Sequence, residues 1–192
     1  MIPLRMGRGK TSVALHLIAN FHFKQVLVVA PSKVVAVWPE QFTEHYPGNA
    51  KVLSLRDGSV QSRAEQAEEF LEDCAINYPS EPAVIVLNYE AARTGDLAKL
   101  TLSTQWDLAI LDESHRIKQA TGLTSKWAGL LGRRAKHRLA LTGTPMPHSP
   151  LDVYAQYRFL DVSIFGTSWT RFRSEFAVLG GYGNHQVVNF RN

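Results

Sequence analysis

The chain has 192 residues, of which 45% are hydrophobic and 20% charged, and its formal net charge is +4. This length favours one globular domain with a substantial core, and the composition excludes a disordered tail, a coiled coil and a collagen-like repeat. The basic balance permits a polyanionic partner such as nucleic acid without requiring one.

In chain order, Thr11 to Asn20 reads as a helix behind a glycine-rich turn. Val26 to Ala30 is an uninterrupted β-branched run ended by Pro31, the pattern of a buried strand. Lys33 to Tyr46 has helical apolar spacing, with Pro39 as an expected interruption. Lys51 to Ser54 is a weaker strand, and Ser62 to Cys74 is rich in helix formers. Ala83 to Leu87, Asp107 to Asp112 and Arg138 to Thr142 complete the strands. Leu123 to Leu131 and Leu151 to Leu160 are expected helices, and Val187-Val188 a short strand-like piece after a glycine cluster at 180–183. Continuous apolar strands alternating with helices predict a mainly parallel sheet covered on both faces.

Cys74 is the single cysteine, so no internal disulfide forms, and the seven histidines do not fall at zinc spacing with it. With no signal peptide evident, a reducing, cytoplasmic setting is expected. The apolar runs are far shorter than the roughly 20 residues of a membrane helix, so no membrane is expected among the partners.

Three segments carry chemistry. In Met6-Gly-Arg-Gly-Lys-Thr11, the glycines let backbone amides approach phosphate oxygens. Lys10 supplies a cation for them and Thr11 a hydroxyl for Mg²⁺, with a helix N-terminus behind. The strict eight-residue phosphate-loop pattern fails, because its first glycine falls at Leu4; a solvated turn also fits. Asp112 and Glu113 follow a buried strand, at the edge where open parallel sheets bind ligands. The first acid suits Mg²⁺ and the second suits proton acceptance from water; a plain acidic turn is the alternative. Leu141-Thr-Gly-Thr-Pro145 places hydroxyls after another strand, where a Gly-Pro turn is the bland reading.

Taken in order, Met6 to Thr11, Val29-Ala-Pro31, Asp112-Glu-Ser-His-Arg-Ile-Lys118 and Leu141 to Pro145 resemble the Swi/Snf-type branch of helicase superfamily two. The match continues through Leu151 to Asp161, Phe165 and Trp169 to Phe176, and is nearest the compact phage and bacterial versions. The resemblance implies the first of two RecA-like lobes, a P-loop doubly wound fold, spanning 1–161. Residues 162–192 then form an extension toward an absent second lobe.

It further implies ATP and Mg²⁺ as cofactors and DNA, duplex in type, as partner. By the same resemblance Gly7, Arg8, Gly9, Lys10, Thr11 and Ser12 bind ATP. Thr11 and Asp112 hold the metal, and Lys10, Asp112 and Glu113 are catalytic. Pro31, Ser32, Lys33, Asn88 and Tyr89 contact the DNA backbone. His115, Thr142, Gly143 and Thr144 couple the nucleotide to neighbouring segments.

Leu4 and Arg5 stand where the family usually has an acid, and the adenine-recognising segment and the strand entering the loop are expected to be absent. The function expected is the ATP-binding lobe of a DNA-dependent ATPase or translocase, weak or inactive until a second lobe completes it. The alternatives are a non-catalytic nucleotide- or DNA-binding fragment and a P-loop ATPase outside the helicases.

The basic run Arg133 to Arg138 reads mainly as a solvated loop, and the four tryptophans as packing rather than base-stacking platforms.

Overall fold

The computed structural model describes residues 1–5, 7–180 and 186–191. Five parallel strands form its centre: β1 (Gln25–Ala30), β2 (Lys51–Leu55), β3 (Ala83–Asn88), β4 (Leu108–Asp112) and β5 (His137–Leu141), in the order β2-β3-β1-β4-β5. Alternate side chains divide between the two faces, as the pleat dictates. Val26, Val28 and Ala30 face one core, shared with Val84, Val86 and Ile110; Leu27 and Val29 face the other, with Ile85, Leu87, Ala109 and Leu111.

The first face is covered by α1 (Lys10–Asn20), α2 (Ser32–Val35) and α3 (Val37–His45), through Ala14, Leu15, Ile18, Val35, Trp38 and Phe42. The second is covered by α4 (Val60–Asn77), α5 (Tyr89–Ala92), α6 (Gly95–Ser103), α7 (Leu123–Arg134) and α8 (Val153–Leu160). This is the expected RecA-like, doubly wound arrangement.

Several boundaries differ from the sequence reading. Pro39 does not interrupt its helix, because it is the third residue of α3, where its missing N–H has no intrahelical acceptor to serve. The helix expected from Ser62 starts at Val60, because the Ser59 side chain accepts from the Ser62 amide and caps it. The entry strand, expected to be absent, survives as one parallel bridge, in which Ile2 N donates to Ala140 O at 2.8 Å beside β5.

Beyond α8 come α9 (Val162–Phe165), α10 (Trp169–Phe176) and an antiparallel pair, β6 (Ala177–Gly180) with β7 (Gln186–Phe190). Phe172 and Ala177 join the second core, and Tyr154 packs against Trp169 and Phe172 at ring distances of 5.3 and 4.9 Å. The expected strand at Val187-Val188 lies in β7. Gly181 and Gly183 of the expected glycine turn lie outside the described residues.

Candidate functional site

The carboxyl edge of the sheet gathers the residues singled out from sequence. Gly7 and Gly9 adopt φ of +72° and +80°, a region that L side chains rarely occupy. Nothing lies within 4 Å of where a Cβ would stand at either position, so their role is conformational, in a loop open to the outside. Gly9 caps α1 without a side-chain acceptor. The first amides of α1 therefore face outward at a helix N-terminus, the usual place for an anion.

Asp112 closes β4, and Glu113 follows in the left-handed region at φ +51°. Held strain of this sort on a non-glycine residue is a mark of functional positions. Here it turns the Glu113 carboxylate back over the loop, where Oε1 lies 3.3 Å from Lys10 Nζ. Its other oxygen is 3.3 Å from His115 Nδ1. Gly7, Gly9, Lys10, Thr11, Ser12, Asp112 and Glu113 line one open cleft of about 390 Å³ together with Val34, Gln41 and His45. Arg8 is exposed beside it.

Asp112 is fixed by neutral donors. Trp38 Nε1 donates to Oδ2 at 3.1 Å, and the Glu113 amide donates to Oδ1 at 2.9 Å. Burial raises its pKa above the ordinary carboxylate value; the Glu113 charge adds to this, and the Trp38 bond opposes it. A buried carboxylate held only by neutral donors, in a cleft that Thr11 also lines, suits a divalent cation that completes its shell with phosphate oxygens. Thr11 and Asp112 thus fit the expected metal set. Among the described residues no cluster of three or more His, Cys, Asp or Glu side chains offers a self-contained metal cage.

The residues expected to couple the site also meet. His115 Nδ1 lies 3.1 Å from Thr142 Oγ1 and 3.4 Å from Thr144 Oγ1, while the Thr144 amide donates to Thr142 Oγ1. Burial lowers the His115 pKa. Gly143 sits between the two threonines in the same turn.

The expected DNA-contact residues divide. Ser32 and Lys33 are exposed at the start of α2, with Pro31 buried beneath them. Asn88 caps α5 by accepting from the Ala91 amide at 2.7 Å. The expectation for Tyr89 needs correction, since its side chain is buried and its hydroxyl donates to the Asp112 carbonyl at 2.8 Å. Tyr89 opens a helix whose inward face enters the core, so its ring is turned away from any ligand at the surface.

Sequence reading also missed Gln156. Its Nε2 donates to the Pro145 carbonyl at 2.7 Å, and its Oε1 accepts from the Ser114 hydroxyl at 2.8 Å, bracketing two of the motifs from α8. Its burial shows only in the fold; in the sequence it is one glutamine within an amphipathic helix and carries no signal of its own. Within the basic run, Lys136 pairs with Asp107 at 2.8 Å and Arg138 donates to the Gly132 carbonyl, while Arg133 and Arg134 are exposed.

The fold and this site together define a RecA-like α/β lobe of the P-loop type. Residues 5–181 match the SNF2-related domain, and the chain belongs to that family. It is 28% identical over 159 residues to the DNA repair and recombination protein RAD54-like of Drosophila grimshawi, covering 82% of this chain and 19% of that protein. It is 27% identical over 187 residues to the RAD54-like protein of Drosophila erecta, covering 92% and 23%.

Among solved structures, the Sulfolobus solfataricus SWI2/SNF2 ATPase core in complex with dsDNA superposes with a TM-score of 0.70 at 22% identity, over 91% of this chain and 34% of that one. The Pyrococcus furiosus Hef helicase domain does so at 0.59 and 20% identity, over 82% and 32%. The chain thus spans about a fifth of the curated relatives it matches. No helix among the described residues is long and apolar enough to cross a membrane.

Proposed function

We propose that this chain is the ATP-binding lobe of a DNA-dependent ATPase that translocates on duplex DNA, completed by a second RecA-like lobe. The observation that carries the reading is the meeting of Lys10 and Glu113, 103 residues apart in sequence, over a positive-φ glycine loop.

In this reading Lys10 and the first amides of α1 hold the β- and γ-phosphates. Thr11 and Asp112 hold Mg²⁺, which when bound neutralises charge on the phosphate oxygens. Glu113 accepts the proton of the attacking water as its ion pair with Lys10 gives way to phosphate. His115, Thr142 and Thr144 sense the state of Glu113 through their shared hydrogen bonds. Ser32, Lys33 and Asn88 meet the DNA backbone from the same edge of the sheet. Relatives described as DNA repair proteins and a solved core bound to dsDNA support the duplex partner.

In this reading the lobe extends over 1–161 and 162–192 leads toward the second lobe, with α8 ending at Leu160 and Asp161 capping α9. A compact phage or bacterial type and a cytoplasmic setting rest on the sequence resemblance and on the lone cysteine. A second reading, binding without turnover, is favoured by the same Lys10–Glu113 pair, which engages the proposed base with the proposed phosphate ligand.

Steady-state phosphate release from Mg·ATP, with and without duplex DNA, separates the two. The lobe alone is expected to turn over slowly, since an arginine finger in trans is worth roughly 10³–10⁵ in rate. Its residual activity is expected to be lost in Lys10→Ala and Glu113→Gln. Activity indifferent to both substitutions contradicts the ATPase assignment.

A further inference from the structure

Three tryptophans are buried, and each indole N–H has an acceptor, as burial of that group demands. Trp106 donates to the Thr101 carbonyl at 2.9 Å and Trp127 to the Thr101 hydroxyl at 3.2 Å, both within the packing of α6 and α7. Trp38 differs. It donates to Asp112 Oδ2, the carboxylate assigned above to the metal, from a position 74 residues away in sequence.

Asp112 is gripped at three points. Trp38 holds Oδ2, the Glu113 amide holds Oδ1, and the Tyr89 hydroxyl holds the main-chain carbonyl. Oxygens held in this way cannot rotate about the terminal torsion, and the remaining lone pairs stay on the cleft side, where Asp112 lines the site. Trp38 is itself immobile, 1% exposed and packed against Phe42 at a ring distance of 6.3 Å. It is the second residue of α3, which follows directly on α2 and its exposed Ser32 and Lys33.

We propose that Trp38 is a positioning residue for the metal: its indole N–H orients the Asp112 carboxylate for Mg²⁺ and thereby sets the affinity of the site for the cation. This rests on the reading of Asp112 as a metal ligand. Partners that orient a metal ligand typically cost 10–100-fold in metal affinity when removed. Because α3 carries Trp38, the same bond ties the segment proposed to meet DNA to the metal ligand.

The test is binding of a fluorescent, non-hydrolysable ATP analogue to the full chain, titrated with Mg²⁺. Trp38→Phe keeps an aromatic ring and removes the donor. It is expected to raise the Mg²⁺ midpoint on the order of tenfold while leaving metal-free analogue affinity unchanged. Trp106→Phe, which loses a comparable buried bond far from the cleft, is expected to leave the midpoint where it is.

An unshifted midpoint in Trp38→Phe, or an equal shift in Trp106→Phe, overturns the proposal. A wild-type protein whose analogue binding ignores Mg²⁺ overturns it together with the assignment of Asp112. If Trp38→Phe does not fold, the wild-type indole N–H resonance is read by ¹⁵N NMR and assigned by elimination from single Phe variants of the other three tryptophans. It is expected to move when Mg²⁺ joins the bound analogue; a resonance that stays fixed overturns the proposal.

Discussion

Lys10 Nζ lies 3.3 Å from Glu113 Oε1. The pair spans the cleft between the glycine loop and the end of β4, and the Lys10 side chain is only 9% exposed against 22% for Glu113. A phosphate entering the cleft must replace the carboxylate as the partner of Lys10. Two negative groups then compete for one cation, and the loser is freed next to the proposed attacking water.

That competition predicts an affinity gain from removing the charge. In Glu113→Gln the lysine has no anionic competitor, and the like-charge repulsion between Glu113 and phosphate is gone. ATP-analogue binding should tighten several-fold, as expected for the loss of a partly exposed pair worth about 1 kcal/mol or less, while phosphate release falls to background. Titration with a fluorescent analogue checks this; weaker binding in the variant contradicts the competition.

Gly132 gives a prediction about the fold alone. On α7 it packs so closely on α8 that a Cβ would fall on the Phe159 carbonyl. The obstacle is backbone, so it cannot swing aside. Gly132→Ala should cost about 1–3 kcal/mol or more by overpacking, read as a lower urea midpoint. Gly9→Ala, at φ +80° with open space around it, should cost about 1–2 kcal/mol through backbone strain alone and weaken nucleotide binding as well.

Asp112 gives a pH dependence. Burial raises its folded pKa above the value of the unfolded chain. The folded state therefore holds its proton to higher pH, and stability is lost as pH rises from the ordinary aspartate range through the raised folded value. Asp112→Asn leaves Trp38 or the Glu113 amide without its acceptor, so the sign is read from the slope: the melting temperature of the variant relative to wild type should rise as pH rises through that window. The same variant should lose the Mg²⁺ dependence of analogue binding. Thermal melts of both proteins at pH 5 and 7 check the sign; a difference in melting temperature that does not change with pH, or that falls as pH rises, contradicts it.

How much of this was legible in the sequence follows the range of each interaction. The strands were legible because Val26 to Ala30, Ala83 to Leu87 and Leu108 to Leu111 are continuous apolar runs, which only a sheet buried on both faces explains. Lys10, Thr11, Asp112 and Glu113 were legible as residue types at strand and helix ends. Helix α6 was missed, because its stretch from Gly95 opens on a glycine and carries threonine and serine. Tyr89 was assigned to the DNA backbone by resemblance alone, which does not reveal that it begins a helix with its ring inward. The partners of Asp112 were hidden for another reason: Trp38 and Tyr89 lie 74 and 23 residues away in sequence, and only the packing of three parallel strands brings them together.

The most direct test of the central claim is the binding of Mg²⁺ with a non-hydrolysable ATP analogue to wild type and Lys10→Ala, followed by calorimetry. One site per chain is predicted. Because hydrogen bonds to charged groups are worth about 1.5–3 kcal/mol, loss of Lys10 should weaken it by about tenfold or more. Equal binding by Lys10→Ala, or none by the wild type, would contradict the assignment of this lobe to ATP.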